Sequence, residues 1–310
     1  MMLIRLTLGL GLFLGSMILG WWLNRRGRLS EAQASTLLRV MTMTASPFTL
    51  CLSFWQMNLR SAEPWLLPLL GFLISAAALI PATLYARHDR LSGSQTGSFL
   101  TCAFFSNLGY LGAFSAFALF GEAGYALCMA YVVYFTPSFY TLGFGIASRY
   151  GHPKTSSTLS AAYSQELRFY PFVGMLAGAV LSLARVPRPP IFEWLNSAVI
   201  PLSTALSLMA IGSQLTFESP RPWLRPCLAM SAIKFVATPL IAWALLSLFH
   251  IQGLTRSVVL IEAATPVGVS PLLLPLLFGL DRKLANALWL FTTVLAVPTF
   301  ALFLPLLAKI

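Results

Sequence analysis

Apolar residues in this chain come in long runs, not in the alternation of a strand or the one-sided stripe of a surface helix. Ten runs can be marked, at roughly 3–23, 36–58, 64–87, 96–120, 123–148, 167–186, 190–216, 222–249, 256–279 and 284–308, each long enough to cross a bilayer as a helix. The second and seventh open on polar residues. Short polar loops separate the runs. The pattern predicts an all-α membrane protein with ten transmembrane helices. Composition agrees, with 57% of the 310 residues hydrophobic and 9% charged, too few charges to clothe a soluble surface.

Charge sets the expected orientation. A net charge of +11 would suit nucleic acid, but the basic residues lie in short loops between apolar runs, so lipid and not nucleic acid is the expected partner. Loops 1–2, 3–4, 5–6, 7–8 and 9–10 hold thirteen Lys and Arg, against six on the other side. That asymmetry places both termini outside the cytoplasm. The first run is read as an anchor and not a cleaved signal, because Arg25, Arg26 and Arg28 stand between it and Ala32-Gln33-Ala34. Cys51, Cys102, Cys128 and Cys227 are scattered singly, and His88, His152 and His250 fall at segment ends. Neither set predicts a metal or catalytic cluster, so no cofactor is expected.

Stacking the runs five on five reveals a repeat. Gly11-x-x-x-Gly15 matches Gly174-x-x-x-Gly178, Pro47 matches Pro201, and Pro81 matches Pro239. Asn107-Leu108-Gly109 matches Pro266-Val267-Gly268, and Pro137 matches Pro298. Five is odd, so the second copy must enter the membrane upside down, a plan that recurs in secondary carriers. The expected divisions are a first repeat over 1–148, a cytoplasmic linker over 149–166 and a second repeat over 167–310.

Runs four and nine are interrupted. Glu262-Ala-Ala-Thr265-Pro266-Val-Gly268-Val-Ser270-Pro271 cannot continue a helix, because each proline removes an N–H and clashes with the preceding turn. Its counterpart is Phe105-Ser106-Asn107-Leu-Gly109-Tyr-Leu-Gly112. Paired broken helices mark the substrate site of a transporter. Each break leaves a half-helix N-terminus with free N–H groups, a place suited to a carboxylate. Asn107 offers amide donors there, and Gly109, Gly112 and Gly268 permit close backbone approach or simply tight packing.

Lys234 and Glu262 are the ionisable residues well inside runs, and so candidates for function. At 1.5 Å per residue they lie roughly 18 Å in from the cytoplasmic side and roughly 10 Å in from the outer side, at nearly the same depth. They either face one polar cavity, exchanging a proton or a substrate charge, or form a structural ion pair. The two Gly-x-x-x-Gly motifs predict that runs one and six pack closely, at a dimer face. Thr49 and Ser203, each two residues past a proline, line the opposite wall of the site or bond back to their own helix.

These blocks resemble the auxin efflux carrier family. The resemblance rests on the Pro47 run, Ser106-Asn107-Leu-Gly109-Tyr-Leu-Gly112, Ile200-Pro201-Leu-Ser203 with Ile211-Gly212-x-Gln214-Leu215, Lys234 with Pro239, Thr265-Pro266-Val-Gly268, and the closing Thr292-Thr-Val-Leu-Ala-Val-Pro298. It implies two inverted five-helix repeats whose interrupted helices 4 and 9 cross at their breaks. It also implies a scaffold of helices 1, 2, 6 and 7, a transport domain of helices 3–5 and 8–10, an elevator-like movement and a homodimer formed through the scaffold. Asn107 and Pro266–Gly268 carry over as substrate contacts, with Gly109, Thr265, Lys234, Glu262, Thr49 and Ser203 as further candidates and Gly112, Pro266 and Pro271 at the helix breaks. The short central linker resembles that of bacterial members, implying the inner membrane and a small organic anion, such as a dicarboxylate, as substrate. The chain also looks like bile-acid sodium symporters, where a carboxylate at the place of Glu262 helps hold sodium. Sodium or proton coupling, with Glu262 as a sodium ligand, is therefore an alternative reading. A ligand-binding sensor without transport is another. With no His inside a run and a single Glu and Lys, an intramembrane enzyme is not expected.

Overall fold

The computed structural model describes residues 2–152, 170–215 and 221–307. Most of the 149–166 linker expected from the sequence lies outside the described residues. The described chain is helical, and its one β-type feature is an isolated bridge between Ser106 and Val267. The helices are α1 (Met2–Arg25), α2 (Glu31–Gln56), α3 (Glu63–His88), α4 (Gly93–Phe104), α5 (Ala113–Val132), α6 (135–150), α7 (Tyr170–Leu183), α8 (Pro190–Ser213), α9 (Arg221–Leu248), α10 (Gly253–Ala263), α11 (Leu273–Phe278) and α12 (Arg282–Leu307). Among the described residues six helical stretches are long and apolar enough to cross a membrane: Glu31–Gln56, Glu63–His88, Leu108–Tyr150, Pro190–Ser213, Arg221–Leu248 and Arg282–Leu302.

Local sequence explains where the helices start and widen. Ser30 and Ser92 each cap a helix reciprocally with the glutamine three residues on, Gln33 and Gln95. Two proline-bearing helices carry a π-turn just before the proline, at Met41–Ala45 ahead of Pro47 and at Ile233–Ala237 ahead of Pro239. A proline ring clashes with the carbonyl four residues back, and one extra residue in the turn relieves the clash. The residue before each proline then serves the displaced carbonyls. Ser46 Oγ donates to Met41 O at 3.3 Å, and Thr238 Oγ1 donates to Ile233 O and Lys234 O at 3.1 and 2.8 Å. Helix α5 kinks at Gly121, whose φ of 66° lies in the left-handed region.

The chain divides into two compact units. The first holds 2–65, 109–129 and 170–215, and its frame is two close helix pairs, α1 with α8 and α2 with α7. Glycines make both contacts. A methyl group at Gly20 would run into the Met209 carbonyl, and one at Gly212 into the Met17 carbonyl. At Gly174 and Gly178 it would meet the carbonyls of Pro47 and Cys51. Within one chain the two Gly-x-x-x-Gly motifs do not bring runs one and six together. The motif of α7 packs on α2, while a Cβ at Gly11 or Gly15 would meet nothing within 4 Å. Small residues let helix backbones approach where no side chain intervenes, so the partner is set by which backbone lies opposite. Gly178→Leu should therefore lower the thermal unfolding midpoint in detergent by several degrees, as overpacking costs about 1–3 kcal/mol. Gly15→Leu should leave it within about 1 °C.

The outer face of α7 presents Val173, Leu176 and Val180 at helical spacing, all strongly exposed. Such an apolar stripe suits lipid or another membrane helix.

The second unit holds 66–108, 130–152 and 221–307. Helix α4 lies at its centre, packed by α6, α9 and α12. A methyl at Gly97 would reach within 2.8 Å of Leu280 and 2.9 Å of Tyr150, so α4 is tightly enclosed. Its N-terminal half is tied to the start of α12 by Ser98 Oγ donating to Asp281 O at 2.9 Å.

Candidate functional site

Two helices of the second unit end inside it, and their loose ends satisfy each other. Helix α4 stops at Phe104 because Phe105 turns extended (φ −94°, ψ 117°) ahead of Ser106 and Asn107, residues that favour local hydrogen bonds over helix. Helix α10 stops at Ala263, three residues before the proline of Thr265-Pro266, and the pre-proline position resists the helical conformation. The two unwound segments then pair antiparallel, Ser106 opposite Val267. Asn107 N donates to Pro266 O at 2.8 Å, and Gly268 N donates to Phe105 O at 3.1 Å.

Further backbone groups of the break are also served. Val267 N donates to Thr292 Oγ1 at 3.2 Å, Thr265 N and Oγ1 both donate to Glu262 O, and Thr238 Oγ1 donates to Ala263 O at 2.8 Å. Pro266 has no N–H to satisfy. Gly268 is required by approach, since a Cβ there would lie 2.8 Å from Ser106 O. Unwound backbone at membrane depth is tolerated only when buried in protein or lining a cavity. Here Thr265, Pro266, Val267 and Gly268 are all buried.

Lys234 belongs to this crossing. It is completely buried, on the π-turn of α9, and its Nζ donates to Ala103 O and to Ser106 Oγ, each at 2.7 Å. Ala103 is in the last turn of α4, so the ammonium sits on the negative end of that helix and takes up one of its orphan carbonyls. The sequence reading offered Lys234 to Glu262 or to substrate; the structure gives it these two oxygens. Glu262 is completely buried at the end of α10. In the same unit Tyr134 shares a hydrogen bond of 2.5 Å with Ser75 of α3. Phe104, Phe105, Phe135 and Phe139 form a chain of edge-on ring contacts around the α4 end, a dry setting that strengthens every polar interaction within it.

The second unit thus gathers Asn107, Thr265, Pro266, Gly268, Lys234 and Glu262 from the sequence-predicted set. Asn107 is 4% exposed. Pro271 opens the short turn Ser270–Leu272 that starts α11. Gly109 and Gly112 follow in a π-turn, Leu108–Gly112, and belong to the first unit, as do Thr49 and Ser203. Thr49 donates to Ser46 O and Ser203 to Ile200 O, both at 3.1 Å and both three residues back along their own helix. Sequence reasoning missed Ser106, Thr238 and Thr292 as working parts. The signals available were a hydroxyl directly before Pro239 and one in the closing Thr292-Thr293 pair.

A second polar cluster went unread altogether. In the first unit Glu122 is 7% exposed and accepts from Arg188 Nη2 with both carboxylate oxygens at 2.8 Å. Asn196 Nδ2 donates to the same carboxylate and, at 3.2 Å, to Ser53 Oγ, while Arg188 Nη1 donates to Leu52 O at 3.2 Å. Lys234 and Glu262 are therefore not the only ionisable residues within the helical body. The sequence placed Glu122 between runs four and five and Arg188 in a loop; the Gly121 kink carries the carboxylate inward instead.

A model of the membrane transport protein family matches residues 13–304, nearly the whole chain. The chain belongs to that family, the auxin efflux carriers. Two similar proteins are an uncharacterized transporter of Methanothermobacter thermautotrophicus, 25% identical over 92% of this chain and 93% of its own length, and an uncharacterized transporter of Methanocaldococcus jannaschii, 26% identical over the same shares. As an auxin efflux carrier family member with several membrane-length apolar helices, the chain is a multi-pass membrane transport protein.

Proposed function

We propose that this carrier moves a small organic anion of carboxylate type across the plasma membrane, in the efflux direction, by an elevator-like alternating-access mechanism. The reciprocal pairing of the two unwound segments, Phe105–Asn107 with Pro266–Gly268, carries the reading. Discontinuous helices that meet within the protein are where secondary transporters hold substrate. Asn107 supplies amide donors beside the pairing, the chain re-enters helix directly after it, and the Lys234 charge lies one residue away on Ser106. All three favour an anion.

The remaining architecture belongs to the same proposal. Ten membrane helices form two inverted repeats, with both termini outside the cytoplasm. Equivalent pairs support the repeat: α1 with α8 and α2 with α7 correspond under it, and so do the back-bonds of Thr49 and Ser203. Helices 1, 2, 6 and 7 act as scaffold and 3–5 and 8–10 as the moving part. The exposed stripe Val173, Leu176 and Val180 of α7 supports a homodimer made through the scaffold.

The test is uptake of a labelled mono- and dicarboxylate panel into proteoliposomes, repeated with imposed sodium and proton gradients. Saturable flux of at least one carboxylate is expected. Saturable binding without flux would point to a sensor, and flux only of cations or neutral solutes would overturn the anion assignment.

A further inference from the structure

The oxygens around Lys234 are those a metal ion would choose. Its ammonium rests on a main-chain carbonyl at the broken end of α4 and on the Ser106 hydroxyl, both at 2.7 Å, with the whole side chain out of solvent. Unwound carbonyls and the C-terminal ends of half-helices are the groups with which discontinuous-helix transporters hold their coupling cations. Helix α4 ends here with a negative partial charge and carbonyls lacking helical partners, which a cation must offset for the break to be stable. We propose that the Lys234 ammonium is a tethered cation, standing where a small monovalent ion would otherwise bind, so that the crossing is complete without sodium or potassium.

Two other features fit. The π-turn Ile233–Ala237 carries Lys234 on the widened turn of α9, and Thr238 Oγ1 takes up the carbonyls of Ile233 and Lys234, so the departure from regular helix is sustained. Ser106 is also the residue paired opposite Val267, so a charge on its hydroxyl steadies the same stretch of backbone that pairs the two breaks. The consequence for transport rests on the anion-carrier reading above: flux should run without a bound cation. The consequence for stability does not rest on it.

The experiment measures thermal unfolding of purified wild type, Lys234→Ala and Lys234→Met at constant ionic strength. Choline is replaced stepwise by sodium, potassium or methylammonium. Lys234→Ala vacates the oxygens and leaves room, whereas Lys234→Met removes the charge and keeps the volume. Wild type should unfold at one temperature in all four salts. Lys234→Ala should unfold lower in choline and rise saturably by about 3 °C or more with at least one small cation, as a bound ligand requires. Lys234→Met should be low and unresponsive. A Lys234→Ala protein indifferent to every cation, or a wild type that responds as strongly, would overturn the proposal. So would a Lys234→Met protein as stable as wild type. Should Lys234→Ala yield no folded protein, wild-type carboxylate flux decides: undiminished in choline it supports the tethered cation, and dependent on sodium it refutes it. The unfolding arm contains no substrate, so an error in the anion class leaves it standing.

Discussion

Arg188→Ala is expected to be among the most destabilising single changes in the first unit. The substitution leaves the Glu122 carboxylate buried with only Asn196 to answer it, and Leu52 O without its donor. Breaking a buried pair by removing one partner costs about 3–5 kcal/mol, because the remaining charge is stranded. In thermal unfolding that corresponds to a fall of roughly 10 °C. Adding Glu122→Gln should return part of the loss, since a neutral amide is far cheaper to bury than an unpaired carboxylate. The double variant should therefore be more stable than Arg188→Ala alone. A drop under about 0.5 kcal/mol would mean the pair behaves like an exposed ion pair and that Glu122 is solvated. The cluster also ties segment 109–129 to α8 through Glu122 and Asn196, and Asn196 reaches on to Ser53 of α2.

Gly268→Val is the corresponding change at the crossing. A β-carbon there would sit 2.8 Å from Ser106 O and 3.1 Å from Ser106 C, both main-chain atoms that cannot rotate away. The pairing must open, and with it go the bonds Gly268 N to Phe105 O and Asn107 N to Pro266 O. Each buried group left unpaired costs about 1–3 kcal/mol on top of the overpacking itself. The expected result is loss of transport with a marked fall in unfolding temperature, and Gly268→Ala should show the same signs more weakly. Val267→Ala, next to Gly268 on the same side of the bridge, removes only apolar volume and keeps both backbone bonds. If Gly268→Val unfolds no lower than Val267→Ala, backbone pairing is not what holds the breaks together.

The helices were legible because apolar runs of membrane length admit few alternatives, and the two breaks were legible because proline and glycine disrupt helices for local reasons. Thr265-Pro266 and Ser106-Asn107 announce an interruption whatever surrounds them. What local chemistry cannot state is which partner each loose end finds. The glycines of α7 could be seen as a packing surface, yet that the surface meets Pro47 and Cys51 of α2 depends on the arrangement of the whole unit. Lys234 was visible as a buried charge, while its resting place on Ala103 O depends on where α4 happens to end. Glu122 was hidden by its position beside a run boundary. A left-handed glycine one residue earlier redirects the chain, and Gly121 in a sequence looks like any other glycine.

The crossing is most directly tested through Asn107, whose side chain is buried beside the backbone pairing while its main-chain bond to Pro266 O does not depend on that side chain. Carboxylate flux should be measured in proteoliposomes for wild type and Asn107→Ala, at matched protein content and with unfolding temperature recorded for both. Saturable wild-type flux that falls at least tenfold in a variant whose unfolding midpoint stays within a few degrees is the predicted result. Full flux through Asn107→Ala would contradict the assignment of the crossing as the place where the anion binds.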